Sequence, residues 1–444
     1  MKKSGMSRKD FLKNSAISVA GLALTPTIAS AHAANLKENK TIDPSPARII
    51  KNVRLETGFE FDGEQVISTK TDLFTVEIQD GKIKNVGVNK PDSQAIDAQG
   101  MLMLPAFKDM HIHLDKTFYG DKWQAVRPRP NGVKGMIALE QKTIPELLKK
   151  STFKAEKIIE LLQSKGSTFA RSHVNIEPTS KLESLKNLQK VIDNKRNVFG
   201  VEIVAFPQHG LYYTDTVPYL QEAAKMDIDF IGGLDPYSID GAIEKTMDFT
   251  VQLALDNNKG IDIHLHESGD SGIKTIEYLI DKVNENPTLK GKTFLSHCFA
   301  LGRLDKVKEE AIAEKLAESQ VGIISTIPFG GLVMPIPTLL KHGVNVMSGN
   351  DSIVDHWNTF GSGSMLQKAN LAAQLYGYSS ELGLSRMLTL ATAGTLPLDE
   401  KGTQQWPKVG DEADLAFVDA SCSAEAVSRI SKVKSLIYQG NIVY

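Results

Sequence analysis

Pro105-Ala-Phe-Lys-Asp-Met-His111-Ile-His113-Leu-Asp115-Lys116 follows an apolar run that begins at Met101. In an extended strand, residues i and i+2 point to the same side, so His111 and His113 share a face. Two imidazoles on one strand face can bind one metal ion without bending the backbone. A His-x-His pair by itself is equally at home on an ordinary surface strand. The rest of the chain separates the two readings, because further His, Asp and Glu residues close short apolar runs.

After His113 the pattern becomes an alternation of strands and helices. Thr143 to Lys165 reads as one helix, with Leu147, Leu148, Ile158, Ile159, Leu161 and Leu162 as apolar positions and Gly166 ending it. Thr168 to Val174, Val198 to Gln208, Asp229 to Leu234, Gly260 to His264, Thr293 to Ser296, Val321 to Ile327 and Val344 to Ser348 read as strands. They are short and largely apolar, as a parallel sheet buried on both faces requires. Helical stretches separate them. Leu182, Leu185, Leu188, Val191 and Ile192 line one side of one, and Leu304 to Ser319 forms another. With the Met101 run counted as the first strand, eight strand–helix units in roughly 250 residues suggest a closed (β/α)8 barrel. The fold class is therefore α/β, with a TIM barrel over residues 105–395. In such barrels the reactive groups sit at the C-terminal ends of the strands.

Both flanks of the barrel are strand-rich. Ala47 to Leu55, Leu73 to Ile78 and Ile83 to Val86 alternate, with Asp80-Gly81 as a hairpin signal. The tail, from Val409 to Tyr444, again reads as strands with a turn at Gly440-Asn441. Residues 47–104 and 396–444 are expected to pair as one small β-sandwich built from both chain ends. Residues 35–46 are polar and read as a linker.

The N-terminal segment reads as a targeting signal. Lys2, Lys3, Arg8, Lys9 and Lys13 precede a weakly apolar run from Ser15 to Leu24, and Ala29-Ser-Ala31-His-Ala33 offers small-residue cleavage sites. Residues 1–34 are expected to be a signal peptide, and the chain exported to the periplasm or secreted. Ser7-Arg8-Lys9-Asp10-Phe11-Leu12-Lys13 resembles the twin-arginine motif, with Lys9 replacing the second arginine. No other stretch approaches the roughly 20 apolar residues of a membrane span, so no stable span is expected once the signal is removed.

The 444 residues carry a net charge of -2, with no basic tract for nucleic acid. Cys298 and Cys422 lie far apart, which argues against a disulfide and a zinc–thiolate site.

The chemistry-bearing residues cluster at strand ends. His111, His113, His264 and Asp351 follow the first, fifth and eighth strands. Neutral imidazoles with one carboxylate suit zinc or ferrous iron and leave a position for water. Glu267 lies just past the fifth strand, placed to take a proton from the attacking water. Its bland alternative is a strand-end salt bridge. His297 ends the sixth strand and can orient the nucleophile, and Asp351 can relay a proton as well as bind metal. His173 reads as a supporting or substrate-facing residue rather than a ligand.

Taken together, Pro105-x-Phe107-x-x-x-His111-Ile-His113-Leu-Asp115, Val204-Ala-Phe-Pro-Gln208, Asp262-Ile-His264 with Glu267, Ser296-His297, and Gly349-x-Asp351 with Asp355-x-Trp357 resemble bacterial cytosine deaminase and its relatives in the amidohydrolase superfamily. The resemblance runs from about Ala47 to Tyr444. It implies one divalent metal, zinc or iron, held by His111, His113, His264 and Asp351, with Glu267 and His297 as proton-transfer and orienting groups. It further implies that Gln208 hydrogen-bonds the amide edge of a heterocycle and that Trp357 lines the pocket. The fourth strand, Phe230-Ile-Gly-Gly-Leu-Asp235, lacks the lysine that bridges two metals in binuclear members, which favours one metal. Lys116, His209, His266, Asn350 and Ser352 depart from the cytosine deaminase pattern. Lys116 is closer to the N-isopropylammelide aminohydrolase branch, which acts on triazine amines.

The expectation is a metal-dependent hydrolytic deaminase that removes the exocyclic amine of a small nitrogen heterocycle, cytosine-like or an aminotriazine, with metal-activated water as the nucleophile. Two other readings stay open: an amidohydrolase that opens a cyclic amide, and an exported binding protein without turnover. The expected partner is a small heterocycle, and a homo-oligomer is left open.

Overall fold

The structure, a computed structural model, describes residues 47–126 and 131–444. The expected signal peptide, residues 1–34, lies outside the described residues.

Two sheets organise the molecule. Strands β1 (Arg48–Asp62), β2 (Gln65–Gln79), β3 (Lys82–Val88), β4 (Ile96–Asp97) and β5 (Leu102–Pro105) come from the N-terminal side. The barrel follows with β6 (Phe107–Ile112), β7 (Ser167–Asn175), β8 (Gly200–Phe206), β9 (Phe230–Leu234), β10 (Gly260–Leu265), β11 (Thr293–His297), β12 (Val321–Ser325) and β13 (Val346–Ser348). Finally β14 (Leu415–Val418), β15 (Val433–Tyr438) and β16 (Asn441–Ile442) return to the first group. The mixed sheet runs β16-β15-β14-β5-β1-β2-β3, with β4 on β1, so both chain ends build it together. Its apolar face holds its own cluster, including Val53, Leu55, Val76, Trp406, Leu415 and Ile437.

The barrel strands pair in parallel and in chain order from β6 to β13. The circle closes at the seam between β13 and β6, where the Asp351 amide donates to the His111 carbonyl over 2.7 Å. Strands β9 to β13 are buried along their whole length, which explains why their sequences run apolar rather than alternating. Met110, Val204, Phe230, Phe294, Ile324 and Met347 form one cluster, and the Arg171 guanidinium lies 4.0 and 4.3 Å from the Phe230 and Phe294 ring centres. The helices bury one side each. Helix Asp270–Glu285, for example, turns Thr275, Ile276, Leu279, Ile280 and Val283 inward, at helical spacing. Helix Lys306–Ser319 begins at Asp305, whose carboxylate accepts from the Lys308 amide.

Two sequence expectations need correction. The Met101 run is not the first barrel strand. Leu102–Pro105 belongs to the mixed sheet, paired to β14 and β1, and the barrel starts at Phe107. The switch takes one residue: the Ala106 amide still donates to Asp414, while the Phe107 amide donates to Gly166 on the barrel side. Apolar patterning is continuous across that switch, so it leaves no mark in the sequence. The single helix expected over Thr143 to Lys165 is two, Gly132–Leu148 and Ser151–Ser164, broken at Lys149-Lys150. Cys298 and Cys422 are free and buried, and no helix among the described residues is long and apolar enough to cross a membrane.

Candidate metal centre and substrate pocket

The candidate residues gather at the C-terminal ends of the barrel strands, as barrel architecture favours. His111 lies on β6 and His113 just beyond its end, with Ile112 turned the other way into the core. Their distal nitrogens, Nε2, stand 3.5 and 3.4 Å from the same Asp351 oxygen, Oδ1. Asp351 reaches that position because β13 meets β6 at the seam.

Hydrogen bonds on the far side of each ring decide which nitrogen carries the proton. Ser296 donates its hydroxyl to Asp262 (2.7 Å) and therefore accepts from His111 Nδ1 (2.9 Å). His113 Nδ1 donates to the His173 carbonyl over 3.1 Å. Both rings thus turn a lone pair towards the Asp351 carboxylate. Burial and the nearby Lys116 ammonium push His113 down to about 4, so it is neutral at neutral pH.

Acceptors facing one another in a buried site repel unless a cation lies among them. Ligands about 2.0–2.1 Å from a zinc ion at tetrahedral corners stand roughly 3.4 Å apart. The observed spacings match that figure, and His111 Nε2 has no hydrogen-bond partner among the described residues. The residues therefore fit a divalent metal.

His264, on β10, stacks on Phe206 with ring centres 3.9 Å apart, and lies 4.6 Å from His111 and 5.4 Å from His113. Two ligand groups emerge, sharing His111: His111, His113 and Asp351, and His111, His173 and His264. His173 is thus closer to the centre than the sequence reading places it. Its ring centre is 4.1 Å from that of His111, and neither of its nitrogens has a hydrogen-bond partner among the described residues. Among the described residues, His264 and His297 likewise have no hydrogen-bond partner on either nitrogen. The His297 ring centre lies 4.8 Å from that of His111.

Glu267 is buried, and its two oxygens differ. Oε1 accepts from the amides of Tyr237 and Ser238, both at 3.0 Å, while Oε2 has no hydrogen-bond partner among the described residues. The salt-bridge alternative for Glu267 finds no ion pair among the described residues. His266 instead pairs with Asp235 over 2.9 Å; burial resists its charge, but the carboxylate prevails and raises it above the ordinary histidine value.

Gln208 and Trp357 come together through two residues that no motif singled out for that purpose. Lys116 donates to the Gln208 amide oxygen and lies 3.3 Å from Glu140, and the Trp357 indole donates to Glu140 over 2.7 Å. Glu140 sits on helix Gly132–Leu148 and is 1 % exposed. The one available signal was a carboxylate at an otherwise apolar helical position, beside Met136, Ile137 and Ile144.

The amidohydrolase family model matches residues 159–444. The chain belongs to the amidohydrolase family. This amidohydrolase is 48 % identical over 454 residues to the uncharacterised protein YahJ of Escherichia coli K12, covering 100 % of this chain and 99 % of the relative. The crystal structure of N-isopropylammelide isopropylaminohydrolase from Burkholderia multivorans superposes with a TM-score of 0.77 at 27 % identity, covering 89 % of this chain and 98 % of that one. A 5-methylcytosine deaminase from Klebsiella pneumoniae, liganded with 5-fluorocytosine, gives 0.74 at 25 % identity, covering 89 % and 97 %. This amidohydrolase is a hydrolase acting on carbon–nitrogen bonds.

Proposed function

We propose that this amidohydrolase removes the exocyclic amine from a ring carbon of a small nitrogen heterocycle, a cytosine-like pyrimidine or an aminotriazine. The observation that carries this reading is the gathering of buried imidazoles, several with nitrogens that lack a hydrogen-bond partner among the described residues, around Asp351, together with a glutamate that keeps one oxygen unused. The names of two structural relatives support the substrate class.

His111, His113, His264 and Asp351 would hold one zinc or iron ion. When bound, such a metal supplies Lewis acidity that lets water ionise near pH ~7. The backbone amides of Tyr237 and Ser238 pin one Glu267 oxygen, which leaves Oε2 to take a proton from the attacking water and deliver it to a ring nitrogen or the leaving amine. His297 orients the nucleophile, and Asp351 relays the second proton. Gln208 grips the ring edge, and Trp357 forms a wall of the pocket. Burial of these groups excludes competing water and strengthens each charge interaction.

General acid–base help of this kind is worth roughly 10² to 10⁴ in rate. Glu267→Gln should lower amine release by that factor while metal content, read by elemental analysis, stays unchanged. Amine release at the native rate would overturn the assignment. A new carboxylate in the product, in place of free amine, would favour the ring-opening reading.

A further inference from the structure

The proposed chemistry gives no task to Glu140, Lys116, His209 and Glu177, which form one buried polar network. Glu140 is its hub. Its Oε1 accepts from Lys116 Nζ and from the Trp357 indole, and its Oε2 lies 3.1 Å from His209 Nε2. His209 Nδ1 in turn lies 3.4 Å from Glu177. Burial opposes the Glu140 charge, yet Lys116, His209 and Trp357 together hold it well below the usual carboxylate range. Burial likewise opposes the Lys116 charge, but Glu140 and Asp355 keep its ammonium above the ordinary lysine value.

Lys116 also donates to Gln208 Oε1. An ammonium only donates, so the atom it meets must be the amide oxygen. That contact sets the orientation of the whole amide. A flipped amide would press its NH2 group against the ammonium. Among the described residues nothing accepts from Gln208 Nε2, which leaves two N–H donors for a ring. The Lys116 ammonium, beside it, also offers only donors.

We propose that Glu140 holds Lys116 and Gln208 as a two-donor edge, so that the pocket selects heterocycles whose gripped edge carries acceptors only, either oxo groups or a deprotonated ring nitrogen. This rests on the function proposed above and narrows its substrate class. A ring that offers an amino N–H there sets donor against donor. The penalty is an unpaired buried donor, roughly tenfold to a hundredfold in affinity. Glu140 does not touch the ring; it is a positioning residue that aims Lys116 and anchors Trp357.

The test uses the metal-loaded full-length chain and a triazine ladder of ammelide, ammeline and melamine, in which amino groups replace oxo groups one at a time. Calorimetry reads binding, and amine release reads turnover separately. In the native protein, affinity should fall about tenfold or more at each oxo-to-amino step. Lys116→Met, checked for folding by circular dichroism, should flatten the ladder to within about threefold. Glu140→Gln should flatten it in part, whereas a merely structural Glu140 would shift all three rings alike. Gln208→Glu, which offers an acceptor, should favour the amino-bearing rings, and serves if Lys116→Met does not fold. A flat or reversed ladder in the native protein overturns the proposal. So does a native-like ladder in folded Lys116→Met. Amine release with a flat ladder overturns the edge alone. A steep ladder without amine release overturns the deaminase reading and leaves the edge standing. No binding by any member overturns both.

Discussion

Ser296 decides which nitrogen of His111 carries its proton. Its hydroxyl is committed to Asp262, itself paired with Arg171 over 3.1 Å, so it can only accept from the imidazole. Partners of this kind, acting behind a metal ligand, are typically worth 10–100-fold in metal affinity. Ser296→Ala should weaken metal binding by about that factor, measured by chelator competition, and should also lower the melting temperature of the metal-free chain, because it leaves the His111 Nδ1–H and an Asp262 oxygen buried without this partner. At this scale the sequence is informative where spacing carries the chemistry. His111 and His113 are two apart on a strand, and Glu267 follows His264 by three. Glu140 was not legible. Its role depends on three donors contributed by Lys116, His209 and Trp357, which are distant in the chain and meet only after folding.

Strand ends carry the backbone strain of the site. Asp235, His297 and Asp351 adopt left-handed φ values of 38°, 70° and 64°, which ordinary residues rarely do. Such strain persists only where surrounding structure over-determines it, and it collects at functional positions. The seam between β13 and β6 shows what over-determines Asp351. Its amide is bound to the His111 carbonyl, and the Asn350 amide is bound to Asp109 over 2.9 Å. Gly349 makes this approach possible, because a Cβ there would lie 2.4 Å from both the backbone nitrogen and the oxygen of His111. Gly349→Ala should therefore cost about 3 kcal/mol of stability and weaken metal binding along with it. Denaturant unfolding and metal titration of the same variant check both. An alanine chain of native stability would show that the seam is looser than its contacts indicate.

The whole molecule is a barrel gripped by a sheet that both chain ends build. The joint runs through Asp414, whose carbonyl accepts from the Ala106 amide where the chain changes sheets, and whose side chain accepts from the Gln439 amide over 2.7 Å. Burial pushes the Asp414 carboxyl from 3.8 up to about 6, against the Gln439 amide that lowers it. The folded chain thus holds this proton more tightly than the unfolded one. The resulting stability is present below pH ~4 and is lost as pH rises through about 6, by up to about 3 kcal/mol. Asp414→Asn cannot ionise, so the native chain should lose stability relative to this variant across that window. Denaturation curves at pH 4 and pH 7 check it, and a gap that does not change with pH would count against the shift.

Much of the architecture was legible because periodicity is a local property. Short apolar runs separated by one-sided helices define parallel strands wherever they occur, and polar residues closing those runs mark the mouth of a barrel. The pairing of the two chain ends into one sheet was likewise readable from their strand patterns. Tertiary structure alone decided the rest. It moved Leu102–Pro105 out of the barrel, since hydrogen-bond partners and not patterning choose a strand's sheet. It brought His173 into the centre, and it wired Gln208 and Trp357 to Lys116 and Glu140. Each of those outcomes depends on distances between residues far apart in the chain, and local sequence carries no record of such distances.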